Sequence, residues 1–277
     1  MEKLTIFNEL SEHIMIRVNS CGEKEHPEWW IESKTHQDYD LWYIYEGDIE
    51  IRINEQIYHA SKGDLVLFCP KVSYTATTNQ YGCRFNFTHF EFGLGNHFGI
   101  LDNFKLSGII KNAFVREEIQ LFLKSYEQYK IGIPMSGIRL KGFLTVLISK
   151  IIELYGRREY RGEFTRQASH TKRTMNLQTL QPTLDFIHNH LHQSLLNRDL
   201  SKMMGMSEKY FIVYFKKALG ITPREYIYQL KMNRARELLL GEQYAIQQIA
   251  DMLGYADPYS FSKAFKKHYK VPPSQFV

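Results

Sequence analysis

Up to about residue 95 the chain alternates short apolar runs with polar breaks, and beyond that point the apolar spacing changes. The runs IMIRV near Ile14, LWYIY from Leu41, IEIRI from Ile49, LVLF from Leu65 and CRFNFTHFEF from Cys83 are rich in β-branched and aromatic residues. Runs of that kind predict strands. Glu46-Gly47-Asp48, Gly63-Asp64 and Pro70 punctuate them, which predicts turns and an antiparallel barrel or sandwich.

From Ser107 to Lys130 and from Met135 to Arg157 the apolar residues recur at helical spacing, with Leu140, Leu144, Leu147, Ile148, Ile151 and Leu154 as the clearest stripe. Two amphipathic helices are expected. Their stripes have two available partners, the strand domain or a second copy of the chain. Residues 158–176 are polar, mixed in charge and without period, as expected of a linker. The pattern thus divides the chain into a strand domain with its helices over 1–157, the linker, and a helical domain over 177–277.

In the helical domain, Thr222-Pro223-Arg224-Glu225 offers an N-cap Thr, a Pro at the first helical position and a capping-box Glu, with Gly241 closing the helix. Residues 200–223 and 249–273 also repeat one another. Leu200-Ser201 lies over Ile249-Ala250 and Gly205 over Gly254. With one residue inserted, Phe211, Phe215, Lys216, Lys217 and Pro223 lie over Phe261, Phe265, Lys266, Lys267 and Pro273. In each copy a short helix ends at a Gly suited to a left-handed turn, and a second begins at a cap, Ser207 or Asp257-Pro258. The small Ser201 and Ala250 permit close helix approach, so each copy reads as a helix-turn-helix.

On a helical wheel Phe211, Phe215 and Ala218 share one face, matched by Phe261, Phe265 and His268, and these faces are expected in the core. The opposite faces carry Lys209, Ile212, Val213 and Lys216 in the first unit, and Tyr259, Ser262, Lys263 and Lys266 in the second. Lysine donates to guanine, serine bonds either type of base edge, and Ile or Val packs on a thymine methyl. Lys216, Lys217, Lys266 and Lys267 come late in their helices and suit phosphate contacts. The intervening helix of about 18 residues spans roughly 27 Å at 1.5 Å per residue. Two readers so separated suit successive major-groove turns, about 34 Å apart.

Charge supports this division. Of the net +5, none lies in residues 1–177, which hold 22 Lys or Arg and 22 Asp or Glu, whereas residues 178–277 hold 13 against 8. A surplus confined to the helical segment points to a polyanion. Three cysteines, Cys21, Cys69 and Cys83, show neither disulfide nor metal spacing. They fit a reducing cytoplasm, and the charged N-terminus and lack of a long apolar run predict neither secretion nor a membrane partner.

The stretches GMSEKYFIVYFKKALGITPREYI from Gly205, RARELLL from Arg234, IADMLGYADPYSFSKAFKKHY from Ile249 and VPPSQF from Val271 closely resemble the AraC/XylS family of bacterial transcription regulators. The resemblance implies a seven-helix domain that binds promoter DNA and recruits or blocks RNA polymerase. By position it implies base reading by Lys209, Ile212 and Val213, and by Pro258, Tyr259, Ser262 and Lys263. Ile212 and Val213 depart from the polar or Arg residues common there, so the first unit is expected to read few bases by hydrogen bonding.

The stretch THQDYDLWYIYEGDIEIRINEQIYHASKGDLVLFCP resembles the cupin-like ligand-binding domain of the family's sugar-responsive branch. The implied fold class is α+β: an N-terminal cupin-like barrel, two central helices and an all-α domain with two helix-turn-helix units. Cupin enzymes hold a metal with two His, a Glu and a later His. Here His36, Asp38, Trp42 and Tyr74 occupy those positions, so no metal site, cofactor or catalytic residue is expected. His36, Asp38, Trp42 and Tyr74, with Trp30 upstream, remain as either an aromatic and polar site for a sugar-like effector or as interior filler. The whole reads as an effector-controlled regulator acting as a homodimer.

Overall fold

The computed structural model describes residues 7–8, 10–11, 14–94, 97–98, 100–164 and 177–276. Of these, 14–164 form one compact unit, and the second comprises 177–276 together with 7–8 and 10–11.

The first unit is built on eight antiparallel strands: β1 (Ile14–His26), β2 (Ile31–Thr35), β3 (Tyr39–Ile53), β4 (Gln56–Ser61), β5 (Leu65–Phe68), β6 (Ser73–Leu94), β7 (His97–Phe98) and β8 (Gly108–Ile110). The hydrogen-bonded path runs β1-β6-β3-β5-β8, with β2 and β7 also on β6 and β4 on β3. Among the described residues this ladder does not close on itself, so the cupin-like domain is an open eight-stranded sheet here where a barrel was expected.

The two runs read as separate strands around Gly47 are one strand. β3 continues through Glu46-Gly47-Asp48 by register shifts against β6 on either side of the paired Glu46-Gly47. Gly47 has φ +85°, and a Cβ there would lie 2.2 Å from the Gly82 carbonyl oxygen. A bulge that only glycine tolerates thus bends the strand where a turn was expected. Gly63-Asp64 does form a turn: Asp64 accepts from the Ser61 amide at 3.0 Å and β5 starts at the next residue.

Downstream, α1 covers Arg116–Lys130 and α2 covers Ser136–Gly156. The first is shorter than its apolar spacing suggested, because Gly108–Ile110 pairs with β5 as an edge strand before the helix begins. Leu140, Leu144, Leu147, Ile148 and Ile151 are buried as the stripe requires. They sit where α2 packs against α1 and β1, while Ile138 and Val146 stay exposed. Residues 158–164 run along this unit, with Tyr160 donating to the Leu106 carbonyl at 2.8 Å and both Tyr160 and Phe164 buried. The rest of the expected linker lies outside the described residues.

The second unit contains α3 (Leu177–Asn189), α4 (Asn197–Met203), α5 (Glu208–Leu219), α6 (Pro223–Leu240), α7 (Ile246–Met252) and α8 (Pro258–Tyr269). Both hydrogen bonds of the Thr222/Glu225 capping box form at the start of α6. Its end differs in detail from the expectation, since Gly241 is right-handed and Glu242 takes the left-handed position at φ +50°.

Candidate effector pocket and nucleic-acid interface

Each repeat folds as its caps dictate. The short helices α4 and α7 are followed by left-handed Gly205 (φ +61°) and Gly254 (φ +64°). The side chain of Ser207 then accepts from the Tyr210 amide, and that of Asp257 from the Ser260 amide at 2.7 Å, which starts α5 and α8. Hydrogen bonding to Ser260 holds the exposed Asp257 carboxyl below the usual carboxylate range.

Phe211, Phe215, Phe261 and Phe265 are fully buried, as are Leu200, Ile249 and Ala250, with Ser201 close behind. The small residues let α4 meet α5 and α7 meet α8 closely. His268 is only half-buried, its ring edge-on to Tyr228, so this member of the expected core face lies at its margin.

The opposite faces point outward. Lys209, Val213, Lys216 and Lys217 are exposed on α5, and Ile212 is partly so; on α8 Tyr259, Lys263, Lys266 and Lys267 are exposed, with Pro258 and Ser262 partly covered. Tyr259 is 77% exposed, although a large aromatic ring gains by burial, and it stands at the N-terminal end of α8. The two pairs α4–α5 and α7–α8 flank the 18-residue α6, so the two outward faces belong to one compact helical unit.

In the sheet unit, three of the five expected effector residues line one cavity of about 250 Å³: His36, Trp42 and Tyr74. His36 Nε2 and the Tyr74 hydroxyl are 3.1 Å apart, and the Trp42 ring stacks on Phe85 with centroids 4.4 Å apart. Trp42 and Tyr74 are almost wholly buried, so they form the wall of the cavity as well as part of the sheet's core. The other two residues lie elsewhere. Trp30 stacks on His26 and lines a separate cavity of about 510 Å³ with Trp29 and Glu50. Asp38 stands behind the cavity, bonding His89 Nδ1 at 3.1 Å and accepting from Asn19 at 2.8 Å.

Asp40 and His89, which the sequence reading passed over, complete the cavity. They are directly paired across β3 and β6. Asp40 is 1% exposed, accepts from Trp42 Nε1 at 2.8 Å through Oδ2, and its Oδ1 accepts no hydrogen bond among the described residues. Burial pushes its carboxyl up to about 7, against the opposing pull of His89 and Trp42. Burial likewise lowers the His36 imidazole, with His89 adding to the effect. A signal for both residues was present: an Asp inside the apolar run YDLWYIY, and a His in phase with Phe85 and Phe87 on an alternating strand. Glu32, Lys24 and Lys34 add charge to the lining, beside His26, whose imidazole burial holds below its ordinary pKa.

Two family models match the chain. Residues 18–104 match the AraC-like ligand binding domain, and residues 200–277 match a helix-turn-helix domain. The chain belongs to the AraC/XylS family of transcription regulators.

Its cavity therefore lies within the family's ligand-binding domain, and its two outward helix faces within the family's DNA-binding domain. The chain is 25% identical to the Msm operon regulatory protein of Streptococcus mutans over all of its own length and 98% of that protein's. It is 32% identical to the lactose operon transcription activator of Staphylococcus xylosus over 35% of each chain. The raffinose operon transcriptional regulatory protein of Pediococcus pentosaceus is also 32% identical, over 28% of each. The chain thus spans about a third of the length of the lactose relative and almost all of the Msm one. No helix among the described residues is long and apolar enough to cross a membrane.

Proposed function

We propose that this regulator binds paired promoter sites through α5 and α8 and that a sugar-like effector in the β3/β6 cavity governs the binding. In α5, Lys209, Ile212 and Val213 face bases, and in α8 Pro258, Tyr259, Ser262 and Lys263 do so. Lys216, Lys217, Lys266 and Lys267 hold phosphates. The observation that carries this reading is the duplicated outward face, exposed at equivalent positions of two helices whose opposite faces bury Phe211, Phe215, Phe261 and Phe265.

The effector class rests on the cavity, where aromatic faces stand beside an imidazole and a buried carboxylate able to bond hydroxyls. Relatives named for the lactose and raffinose operons favour a carbohydrate. Coupling requires that effector binding favour one of two arrangements of the chain. A homodimer presents two DNA-binding domains to paired sites, and exposed Ile138 and Val146 on α2 supply apolar surface for pairing. The protein acts in the cytoplasm, meets RNA polymerase at the promoter and carries out no catalysis.

The test is selection of random duplex DNA on the full chain, with and without a panel of mono- and disaccharides. Two short boxes about one helical turn apart are expected. A single box would leave α8 as the sole reader, and no enrichment would overturn the reading. An unchanged promoter affinity with every sugar would overturn the effector assignment alone.

A further inference from the structure

The cavity side of β3 and β6 contains a group of side chains for which an effector's hydroxyls provide no sufficient account. His36, Asp40 and His89 present ligand atoms that all lie within 4.8 Å of one another. His36 Nε2 is 3.5 Å from Asp40 Oδ2, and His89 Nε2 is 3.9 Å from Asp40 Oδ1. Ligands on a tetrahedron with bonds of about 2.1 Å stand about 3.4 Å apart, so the two His–Asp pairs need close in by only a few tenths of an ångström, and no pair in the group by more than about 1.4 Å.

The groups behind them are arranged as metal ligands require. His89 Nδ1 faces the Asp38 carboxylate at 3.1 Å, which fixes the N–H on Nδ1 and leaves the Nε2 lone pair turned toward Asp40 and His36. Asn19 holds Asp38 in turn. Trp42 Nε1 anchors Asp40 through Oδ2. That leaves Oδ1, on a side chain only 1% exposed, aimed into the group with no hydrogen bond among the described residues. A buried carboxylate oxygen without a partner is costly, and a cation supplies the partner that is missing.

We propose that His36 Nε2, His89 Nε2 and the Asp40 carboxylate bind one divalent transition-metal ion of the zinc, iron and nickel class. Two imidazoles and one carboxylate suit those ions better than calcium or magnesium, which prefer all-oxygen shells. All three side chains line the cavity that Lys24, Glu32 and Lys34 also line, so any further coordination position would be filled from that cavity. The ion would tie β3 to β6 and offer those open positions to an oxygen of whatever ligand the cavity takes. The comparison with cupin ligand positions missed this set, because two of its three members, Asp40 and His89, stand at other places in the chain.

The proposal stands apart from the sugar assignment, and its test uses no sugar. Full-length protein stripped with a chelator is titrated with Zn²⁺ and with Co²⁺. One equivalent is expected to bind per chain, with the visible absorption of Co²⁺ in a nitrogen and oxygen site and a melting temperature that rises with free Zn²⁺. In the unaltered protein, Zn²⁺ is expected to shift the Nε2 resonances of His36 and His89 while those of His188 in the second unit stay in place. His36→Gln, His89→Gln and Asp40→Asn are each expected to weaken binding at least tenfold. Asp38→Asn, which only loosens the orientation of His89, is expected to weaken it about tenfold or more. Absence of a Zn²⁺-dependent shift in melting temperature and in the two resonances would overturn the proposal. Binding that survives all three ligand variants unchanged would also overturn it, by placing the ion elsewhere. The resonances decide the matter even where a variant fails to fold.

Discussion

The indole Nε1 of Trp42 donates to Oδ2 of Asp40 across 2.8 Å, from two positions along the same strand. This single bond satisfies half of a buried carboxylate and leaves the other half 3.9 Å from His89 Nε2, while His36 Nε2 lies 3.5 Å from the bonded oxygen. Trp42→Phe keeps an aromatic ring against Phe85 but removes the donor. An unsatisfied buried acceptor costs about 1–3 kcal/mol, so the variant is expected to melt measurably lower than the parent in calorimetry of the chelator-treated chain. An unchanged melting temperature would show that the bond contributes nothing.

The two turn glycines are expected to respond unequally to alanine. Gly205 and Gly254 share a left-handed backbone, but a Cβ on Gly205 meets nothing within 4 Å, whereas one on Gly254 would lie 2.6 Å from the His192 carbonyl oxygen. Gly205→Ala should cost about 1–2 kcal/mol for the left-handed conformation alone. Gly254→Ala should cost clearly more, because the backbone of His192 must move. Denaturant unfolding of the two variants side by side measures the difference.

Thr222 starts the long helix between the two helix-turn-helix units with both bonds of a capping box. Thr222→Ala removes the side-chain acceptor for the Glu225 amide and should destabilise the helical unit by about 1 kcal/mol. Thr222→Ser should retain most of that stability, and thermal unfolding followed by helical circular dichroism separates the two.

Lys231 is 8% exposed, donates to the Gln193 carbonyl at 3.2 Å and has its ammonium 5.4 Å from the centre of the Tyr255 ring. Burial holds its pKa below the ordinary 10.5. The folded chain therefore binds fewer protons here than the unfolded one between the lowered value and 10.5, and in that window this group makes stability rise with pH. Against Lys231→Met, which lacks the titration, the parent should gain relative stability as the solution is made alkaline. Paired unfolding curves across that range check the sign.

On DNA, the outward lysines should separate by role. Lys267→Ala is expected to weaken binding to all sequences alike and reduce the salt slope by about 1, as loss of one phosphate contact does. Lys263→Ala is expected to relax sequence preference at the position it faces, by about 1–3 kcal/mol of discrimination. Fluorescence anisotropy at several salt concentrations, on the selected site and on a scrambled one, distinguishes them.

Much of the helical unit was legible because its determinants are local. Ser207, Asp257 and Thr222 cap the helices that their positions predicted, and α6 runs from Pro223 to Leu240 as its boundary residues indicate. Each of these depends on groups within one helical turn. The repeat then reported the shared core, since Phe211 and Phe261, Phe215 and Phe265 occupy equivalent buried places. The sheet was read less fully. β2, β4, β7 and β8 went unseen because they are short, and each is held by pairing with another strand more than by its own apolar content. Gly47 was read as a turn because glycine supplies positive φ to turns and bulges alike, and only the partner strand distinguishes them.

By itself the sequence determined the second helix of each helix-turn-helix unit, its cap and its outward lysines, because helix periodicity and capping act over a few residues of chain. Tertiary structure alone decided the cavity. Asp40 faces His89 through the register of β3 on β6, Asp38 turns away to hold that histidine from behind, and Trp30 leaves for a second cavity. Strand register is a property of two distant segments together, and one step of slippage sends a side chain to the opposite face. No local pattern around His36 or His89 contains that information.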